Sequence, residues 1–372
     1  MSSPEPRGED LSEALRRAYP ELEPLAAATL PVYLVGGAVR DLLRGHPRSD
    51  IDLVVVGEPA ALLCELGAEA LAEHDRFGTA KARLDGHEVD VARARSESYP
   101  QPGALPVVEP AASIEADLAR RDFTINAMAI PLAGERRLLD PHGGREDLER
   151  HLLRVLHPVS FRDDPTRALR GARYAARFEL ALEPATAALL RATDLDAVSA
   201  DRRRAELLRL AAEPSGPRGL ELLAEWGLLA LRDGGAELAR AVSELLAREP
   251  WSGFAPRAAA VLAAGLGPVG AEAELAAARP ERPSQAVALA GGRDPVELAL
   301  ARALGAEWLD SYLAEWRHVR LEIDGADLLA AGVPQGPALG RGLAEALRRR
   351  LDGEVHGREQ ELAAALEAAR GG

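Results

Sequence analysis

Tyr33-Leu34-Val35-Gly36-Gly37-Ala38-Val39-Arg40-Asp41-Leu42-Leu43-Arg44, followed by Ser49-Asp50-Ile51-Asp52-Leu53-Val54-Val55-Val56, spells strand, glycine turn, short helix, loop and second strand. Pro31 to Val35 is an apolar run stopped by glycines, and Ile51 to Val56 is β-branched and bounded by Gly57. Side chains at i and i+2 of a strand leave the same face, so Asp50 and Asp52 project together. Neighbouring carboxylates repel unless a cation sits between them, and oxygen ligands favour Mg2+. The Gly36-Gly37 turn opens a helix whose free N–H groups and positive dipole end suit a polyphosphate. Either feature alone is weak, because many Gly-Gly turns only connect elements and many paired acids are a solvated edge. Together, each beside a strand, they point to phosphoryl or nucleotidyl transfer.

The composition sets limits on that reading. With 372 residues the chain is long enough for two or more domains and a substantial core. It is 47% hydrophobic, but no apolar run approaches 18 residues, so a soluble, cytoplasmic protein without a membrane is expected. Met1 to Asp10 is polar and acidic with no signal-peptide pattern. Cys64 is the only cysteine, which excludes an internal disulfide, and its apolar neighbours predict a buried helical thiol. The eight histidines are scattered and the His74-Asp75 doublet stands alone, so a histidine-built metal site is not expected. The net charge of −14 is awkward for an RNA binder, yet binding depends on the local field along one face. Lys81 is the only lysine, and arginine suits bidentate phosphate and base contacts.

Along the chain, one helix is expected from Leu11 to about Ala28 and another from Glu58 to about Glu73. Thr79 to Leu84 and Glu88 to Ala92 read as a hairpin about Asp85-Gly86. Asp90 falls on the returning strand, either as a third acid near the metals or as an exposed strand acid. Ser96 to Ala112 is Pro-rich and aperiodic, so a mobile loop is expected. From Asp140 the sequence turns Ala/Leu/Arg-rich with helical spacing and no credible strand. The fold class is therefore an α/β head (a small mixed sheet with helices) followed by an all-α remainder. Trp226, Trp251, Trp308 and Trp316 are spaced like core anchors.

GGAVRD followed by DIDL resembles the opening motif of class II tRNA nucleotidyltransferases and bacterial poly(A) polymerases, of the DNA polymerase beta-like superfamily. Arg120-Arg121-Asp122-Phe123-Thr124-Ile125-Asn126-Ala127-Met128-Ala129 resembles the family's RRDFTxNAMA motif. The resemblance implies that Arg121 and Asp122 contact the incoming triphosphate and ribose, while Asp122 as a helix N-cap is the competing reading. Asp163, Arg167, Arg170 and Arg173 recur at spacings of three and four and, with Asp164, predict a polar stripe on one helix face. Cytosine and adenine each present an amino donor beside a ring-nitrogen acceptor, which a carboxylate next to an arginine complements; uracil and guanine reverse that pattern. The stretch resembles the family's EDxxRxxR motif, which makes Asp164 and Arg167 the base-reading pair, with Arg170 and Arg173 facing phosphates or bracing it. Asp163 stands where the family has glutamate, and Asp201-Arg202 stands where it has Glu-Arg; Arg202 with Glu206 is expected to brace the base-reading helix. Residues 321–341 resemble the family's tail, where Gly336-Pro337 opening a helix, Gly340 allowing close approach and Arg341 suit a phosphate of the tRNA stem. Arg348-Arg349-Arg350 adds a positive patch or is a solvated helix end.

The implied layout is an N-terminal helix and tip at 1–28, a nucleotidyltransferase head at 29–145, a neck at 146–215, a helical body at 216–300 and a tail at 301–372. The implied activity is template-independent addition of C and/or A, from CTP and ATP, to the acceptor end of tRNA. Asp50 and Asp52 are expected to hold two Mg2+ ions, with Gly36, Gly37, Arg40 and Arg121 around the triphosphate. The alternatives are a CC-only or A-only enzyme, a poly(A) polymerase, and a silent RNA-binding module. Arg76-Phe77-Gly78-Thr79-Ala80-Lys81 lies closer to the tRNA branch than to the arginine-rich segment of the poly(A) branch.

Overall fold

A computed structural model describes residues 11–47, 50–74, 78–268 and 270–371. The acidic tip before Leu11, Ser49, Asp75 and the Arg76-Phe77 part of the branch-marking stretch lie outside the described residues. The chain divides into two compact units, one running to Leu210 and including Glu225–Leu228, the other formed by Ala211–Ala224 and Leu229 onward.

The first unit is built on strands β1 (Val32–Val35), β2 (Ile51–Val55), β3 (Glu69–His74), β4 (Thr79–Leu84), β5 (His87–Arg93) and β8 (Ala129–Pro131). They form one mixed sheet in the order β3-β4-β5-β2-β1-β8, with β2 and β5 parallel and the other neighbours antiparallel. Alternation along the strands assigns two faces. Val32, Leu34, Ile51, Leu53, Val89 and Val91 pack against α1 (Leu11–Ala18), α2 (Gly37–Leu43) and α3 (Pro59–Leu66). Val35 and Val54, on the opposite face, meet Ile114 and Leu118 of α4 (Ile114–Ala119). Along β2 only Asp52 is exposed, so the covering of this second face is broken there. The Asp85-Gly86 turn is as expected, with φ of 46° and 83° at its two residues.

Several local expectations are corrected. The first helix ends at Ala18, and Pro20–Ala27 is a 3-10 segment, because Pro20 and Pro24 withhold the N–H donors that an α-helix needs. The helix expected to reach Glu73 stops at Leu66, where Gly67 takes a left-handed cap and the chain turns into β3. Cys64 is exposed on α3, on the face away from the sheet. The segment expected to be a loop holds an antiparallel hairpin, β6 (Arg95–Ser98) with β7 (Val107–Pro110). After Asp140, two short strands, Leu152–Leu153 and Ala181–Leu182, pair in parallel within the helical region.

Helices then dominate: α5 (Gly144–Glu149), α6 (Ser160–Asp163) and α7 (Thr166–Phe178) lead to a helix at Ala200–Ala212. In the second unit Trp251 is a core anchor, 1% exposed, its indole donating to Asp310 at 2.8 Å. The other three tryptophans are half-buried. Gly336 precedes a helix at Pro337–Leu351 as expected, but nothing lies within 4 Å of where a Gly340 side chain would begin. Gly342 is the close-packing glycine instead, with Ala365 O 2.7 Å from that point. Arg348, Arg349 and Arg350 are neutralised by Glu345, Asp352, Glu354, Glu361, Glu322 and Glu367, so they form no positive patch. Among the described residues, no single helix is long and apolar enough to cross a membrane.

Candidate active site

The break in the sheet's second face opens into a cleft of about 850 Å3 within the first unit. Its lining includes Gly36, Gly37, Arg40, Asp52, Asp90, Arg121, Asp122, Asp164, Arg167 and Arg170. Ten of the residues expected from sequence are therefore gathered in one place. Asp50, just ahead of β2, and Arg173 are not part of the lining. Gly336, Gly340 and Arg341 belong to the second unit.

Asp52 and Asp90 are register partners on parallel strands, so their side chains leave the same face about 4.8 Å apart along the sheet. The Asp52 carboxyl is pushed above the usual range. Its crowding by protein is the main cause, Arg121 opposes the rise, and the charges of Asp90 and Asp50 add to it. Asp52 still opens to solvent at the cleft floor, and water softens the effect. Two carboxylates side by side offer an all-oxygen seat that fits a hard divalent cation. Among the described residues no three acidic, histidine or cysteine side chains converge as a ready-made shell. Two carboxylates completed by substrate phosphates and water is how Mg2+ is usually held.

The glycine turn is shaped by its neighbours. Gly36 has φ of 64°, and a methyl group there would meet Arg121 Nη1 at 2.7 Å. Arg121 is held in that place by Asp117, which is fully buried and accepts from both Arg120 and Arg121. Burial opposes ionisation of Asp117, but Arg121 and Arg120 outweigh it and hold the carboxyl below its usual range. Arg40, buried at 4% exposure, pairs with Asp41 and donates to Asn126 Oδ1 at 2.6 Å. It thus braces the floor of the turn through protein partners.

Asp122 is not a helix cap. Its Oδ1 accepts from Phe123 N at 2.9 Å and Asn126 Nδ2 at 3.1 Å, and its Oδ2 from Arg170 Nε at 3.1 Å. Its carboxyl is depressed, because Arg170 and Asn126 outweigh the burial that opposes ionisation. The expected stripe is interrupted: Asp163 ends α6, Asp164 sits at an extended break, and Pro165 precedes α7. Asp164 Oδ1 accepts from Thr166 Oγ1 at 2.6 Å and Arg202 Nη2 at 3.0 Å, while Arg170 approaches Oδ2 at 3.4 Å. Arg167 does not pair with Asp164. Its guanidinium donates to Ser160 Oγ at 2.6 Å and Arg120 O at 2.9 Å, and its Nε is a buried donor with no acceptor among the described residues. Arg173 lies over the Tyr174 ring, 4.7 Å from the centroid. Arg202 reaches Asp164, but Glu206 pairs with Arg209 and not with Arg202.

Arg40, Asn126, Asp122, Arg170, Asp164 and Arg202 thus form one continuous polar chain from the glycine turn to the far wall. A glycine turn that opens a helix, two in-register acids and a carboxylate–arginine wall share a single cleft. Residues 32–154 match the Poly A polymerase head domain family. The CC-adding tRNA nucleotidyltransferase of Deinococcus radiodurans is 38% identical over 378 residues, covering 95% of this chain and 91% of that protein. The chain belongs to the tRNA nucleotidyltransferase family.

The A-adding tRNA nucleotidyltransferase of Halalkalibacterium halodurans is 45% identical over 177 residues, covering 46% of this chain and 41% of that protein. Among solved structures, a CCA-adding enzyme in complex with ATP superposes with a TM-score of 0.77 at 27% identity, covering 96% of this chain and 98% of that one. The Thermotoga maritima CCA-adding enzyme complexed with tRNA superposes with a TM-score of 0.72 at 27% identity, with the same coverage. The fold is theirs, a mixed-sheet head followed by helices. Nucleotidyltransferases of this kind generally use divalent metal ions.

Sequence reasoning passed over Asn126, Asp117 and Tyr99. Asn126 lay inside a quoted motif, and a side chain that both donates and accepts is the natural bridge between an arginine and an aspartate. Asp117, four residues before Arg121 on a helical repeat, carried a readable i, i+4 signal. Tyr99, whose hydroxyl lies 3.4 Å from Arg167, carried none. Gly36→Ala combines positive φ with displacement of Arg121. Its KM for nucleoside triphosphate is expected to rise about tenfold, with a melting temperature lowered by several degrees. A steady-state titration and a thermal melt check both, and an unchanged KM would remove the turn from the phosphate site.

Proposed function

We propose that the cleft transfers nucleotidyl groups from CTP and/or ATP to the 3′ end of tRNA without a nucleic-acid template. The observation that carries this reading is the placement of Asp52 and Asp90, in register, in the same cleft as Asp164 and Arg167. Asp50 and Asp52 would seat Mg2+, with Asp90, the register partner of Asp52, as the third acid beside them. When bound, the divalent ion supplies Lewis-acid stabilisation of phosphate charge and makes the attacking hydroxyl more acidic. Gly36, Gly37 and Arg121 bind and orient the triphosphate, and Arg40 and Asp122 hold that turn and the sugar side in place. The RNA 3′-oxygen attacks the α-phosphorus and pyrophosphate leaves. Asp164 accepts from the amino group of cytosine or adenine, and Arg167 supplies the hydrogen bond to the ring nitrogen.

We assign catalysis to 29–145 and base choice to 146–215, after a leading segment at 1–28. A body at 216–300 and a tail at 301–372 then carry the tRNA, with exposed Arg341 as a phosphate contact beside Gly336 and Gly340. The compact-unit limit near Leu210 supports a division close to 215. A cytoplasmic site of action fits a tRNA substrate.

Likeness along nearly the whole chain to a CC-adding enzyme, against half-chain likeness to A-adding ones, favours cytidine addition. Purified protein is incubated with Mg2+ and tRNA lacking its last three, two or one nucleotides, with CTP and ATP separately and together. Two cytidines added to the shortest substrate, and nothing further with ATP, is the expected result. Extension to CCA indicates the broader enzyme, and a long adenosine tail indicates a poly(A) polymerase. No incorporation on any arm sinks the reading.

A further inference from the structure

The β6–β7 hairpin has an unusual surface for a segment beside a charged cleft. Leu105 is 72% exposed, Val107 52% and Val108 42%, half of the large exposed hydrophobics among the described residues. All four residues of β7 are exposed, and Val107 and Val108 face opposite sides of the two-stranded ribbon. A two-stranded ribbon is not stable by itself, so its exposure depends on how it is anchored. Arg202 donates to Gly103 O at 2.8 Å, Gly103 N donates to Asp163 O at 3.2 Å, and Arg120 donates to Glu97 at 2.9 Å. A methyl group at Gly103 would meet Ala197 O at 2.3 Å, so the tip is seated against the helical region by a glycine. The apolar edge is therefore held out in place. It is continuous with the cleft, because Arg95, Glu97, Tyr99 and Pro106 of the same hairpin line the cavity that holds Asp52.

We propose that this hairpin is an apolar wedge that receives the unpaired bases at the 3′ end of the RNA substrate and sets the terminal hydroxyl beside Asp52. The inference rests on the nucleotidyl-transfer reading above and adds to it the primer's seat. Unstacked bases present apolar faces that pack on leucine, valine and proline without regard to sequence, as a repeated C addition needs. Arg95 and Arg120 stand at the root of the hairpin and are paired with Glu97, which fixes the ribbon to the cleft wall. The fit is to a single strand at a ribbon edge, in line with the cavity where the strand must end.

The test uses Leu105→Ser, Val107→Thr and Val108→Thr together in the full chain, with Leu105→Ser alone as a milder variant. Leu304→Ser, an exposed leucine of the second unit at 39% exposure, is the control. Fluorescence anisotropy measures binding of two labelled RNAs, a tRNA lacking its last two nucleotides and the same tRNA trimmed back to its paired stem. The triple variant is expected to bind the first about tenfold more weakly and the second as wild type does, with Leu105→Ser in between. Equal affinities of variant and wild type for the first RNA overturn the proposal, and so does equal weakening toward both. Loss of a dimer in sedimentation with RNA affinity unchanged also overturns it, making the patch a protein contact. Failure of wild type to incorporate CTP strikes the functional reading alone, because the binding comparison stands without turnover.

Discussion

Asp52→Ala is expected to lower nucleotide addition by about a thousandfold or more while leaving the fold intact. Several kcal/mol of phosphate-charge stabilisation pass through the ion this side chain would seat, and each 1.36 kcal/mol is about tenfold in rate. Stability should respond in the opposite sense. Burial and the charges of Asp90 and Asp50 raise the Asp52 pKa, so its ionised form is disfavoured in the folded protein. That cost grows as pH rises through the unfolded-state pKa of an aspartate and is complete above the folded one. At neutral pH, without added metal, the variant should therefore melt no lower than wild type. Any advantage it holds should shrink as the pH is brought below the ordinary aspartate range. The effect is reduced by solvent, because Asp52 opens to the cleft. Single-turnover incorporation and thermal melts across pH check both halves. Incorporation near the wild-type rate would refute the role given to Asp52.

How far the chain was legible from its residues depends on how local the deciding interaction is. The Asp85-Gly86 hairpin, the Gly36 turn and the strand carrying Asp52 follow from backbone preferences within a few residues, and they stand where expected. The strand pairing Asp52 with Asp90 is a long-range event. Alternation placed Asp90 on a face, but only the parallel β2–β5 register places it beside Asp52. The β6–β7 hairpin was read as a loop because Pro102, Pro106 and Pro110 erase periodicity, and its anchors, Arg202 and Ala197, lie far along the chain. Arg348 to Arg350 looked basic because the acids that neutralise them include Glu322 and Glu367, on neighbouring segments. In a chain this acidic, an arginine run is weak evidence of a positive surface. The arginines that matter are those whose carboxylate partners are themselves committed to the cleft.

Asp164 shows why that distinction bears on specificity. Asp164→Asn is expected to cut the preference for CTP over UTP by about tenfold to a hundredfold, chiefly through lower kcat/KM for CTP. The carboxylate is held below its usual range; burial opposes ionisation, but Arg170, Thr166, Arg202 and Arg167 together outweigh it. It remains a pure acceptor at any working pH, which suits the amino group of cytosine and rejects the O4 of uracil. An asparagine oriented with its amide nitrogen toward the base donates instead of accepting, so it loses the bond to cytosine and gains one to uracil. One well-placed hydrogen bond of this kind is worth about 1–3 kcal/mol of discrimination. Arg167 still opposes the uracil N3–H, and UTP therefore does not become the favoured substrate. Asp164→Ala is expected to behave differently, because both variants lose the counter-charge but only alanine also removes the acceptor oxygen that Arg202 and Thr166 share. Removing one member of such a partly buried network destabilises the fold, so this variant should melt lower than the isosteric one. The Asn variant consequently separates base choice from structural support. Competition between CTP and UTP on a tRNA lacking its last two nucleotides gives the ratio directly. A ratio unchanged in Asp164→Asn, with a normal melt, would take base reading away from this residue and leave it as the clasp between Arg170 and Arg202.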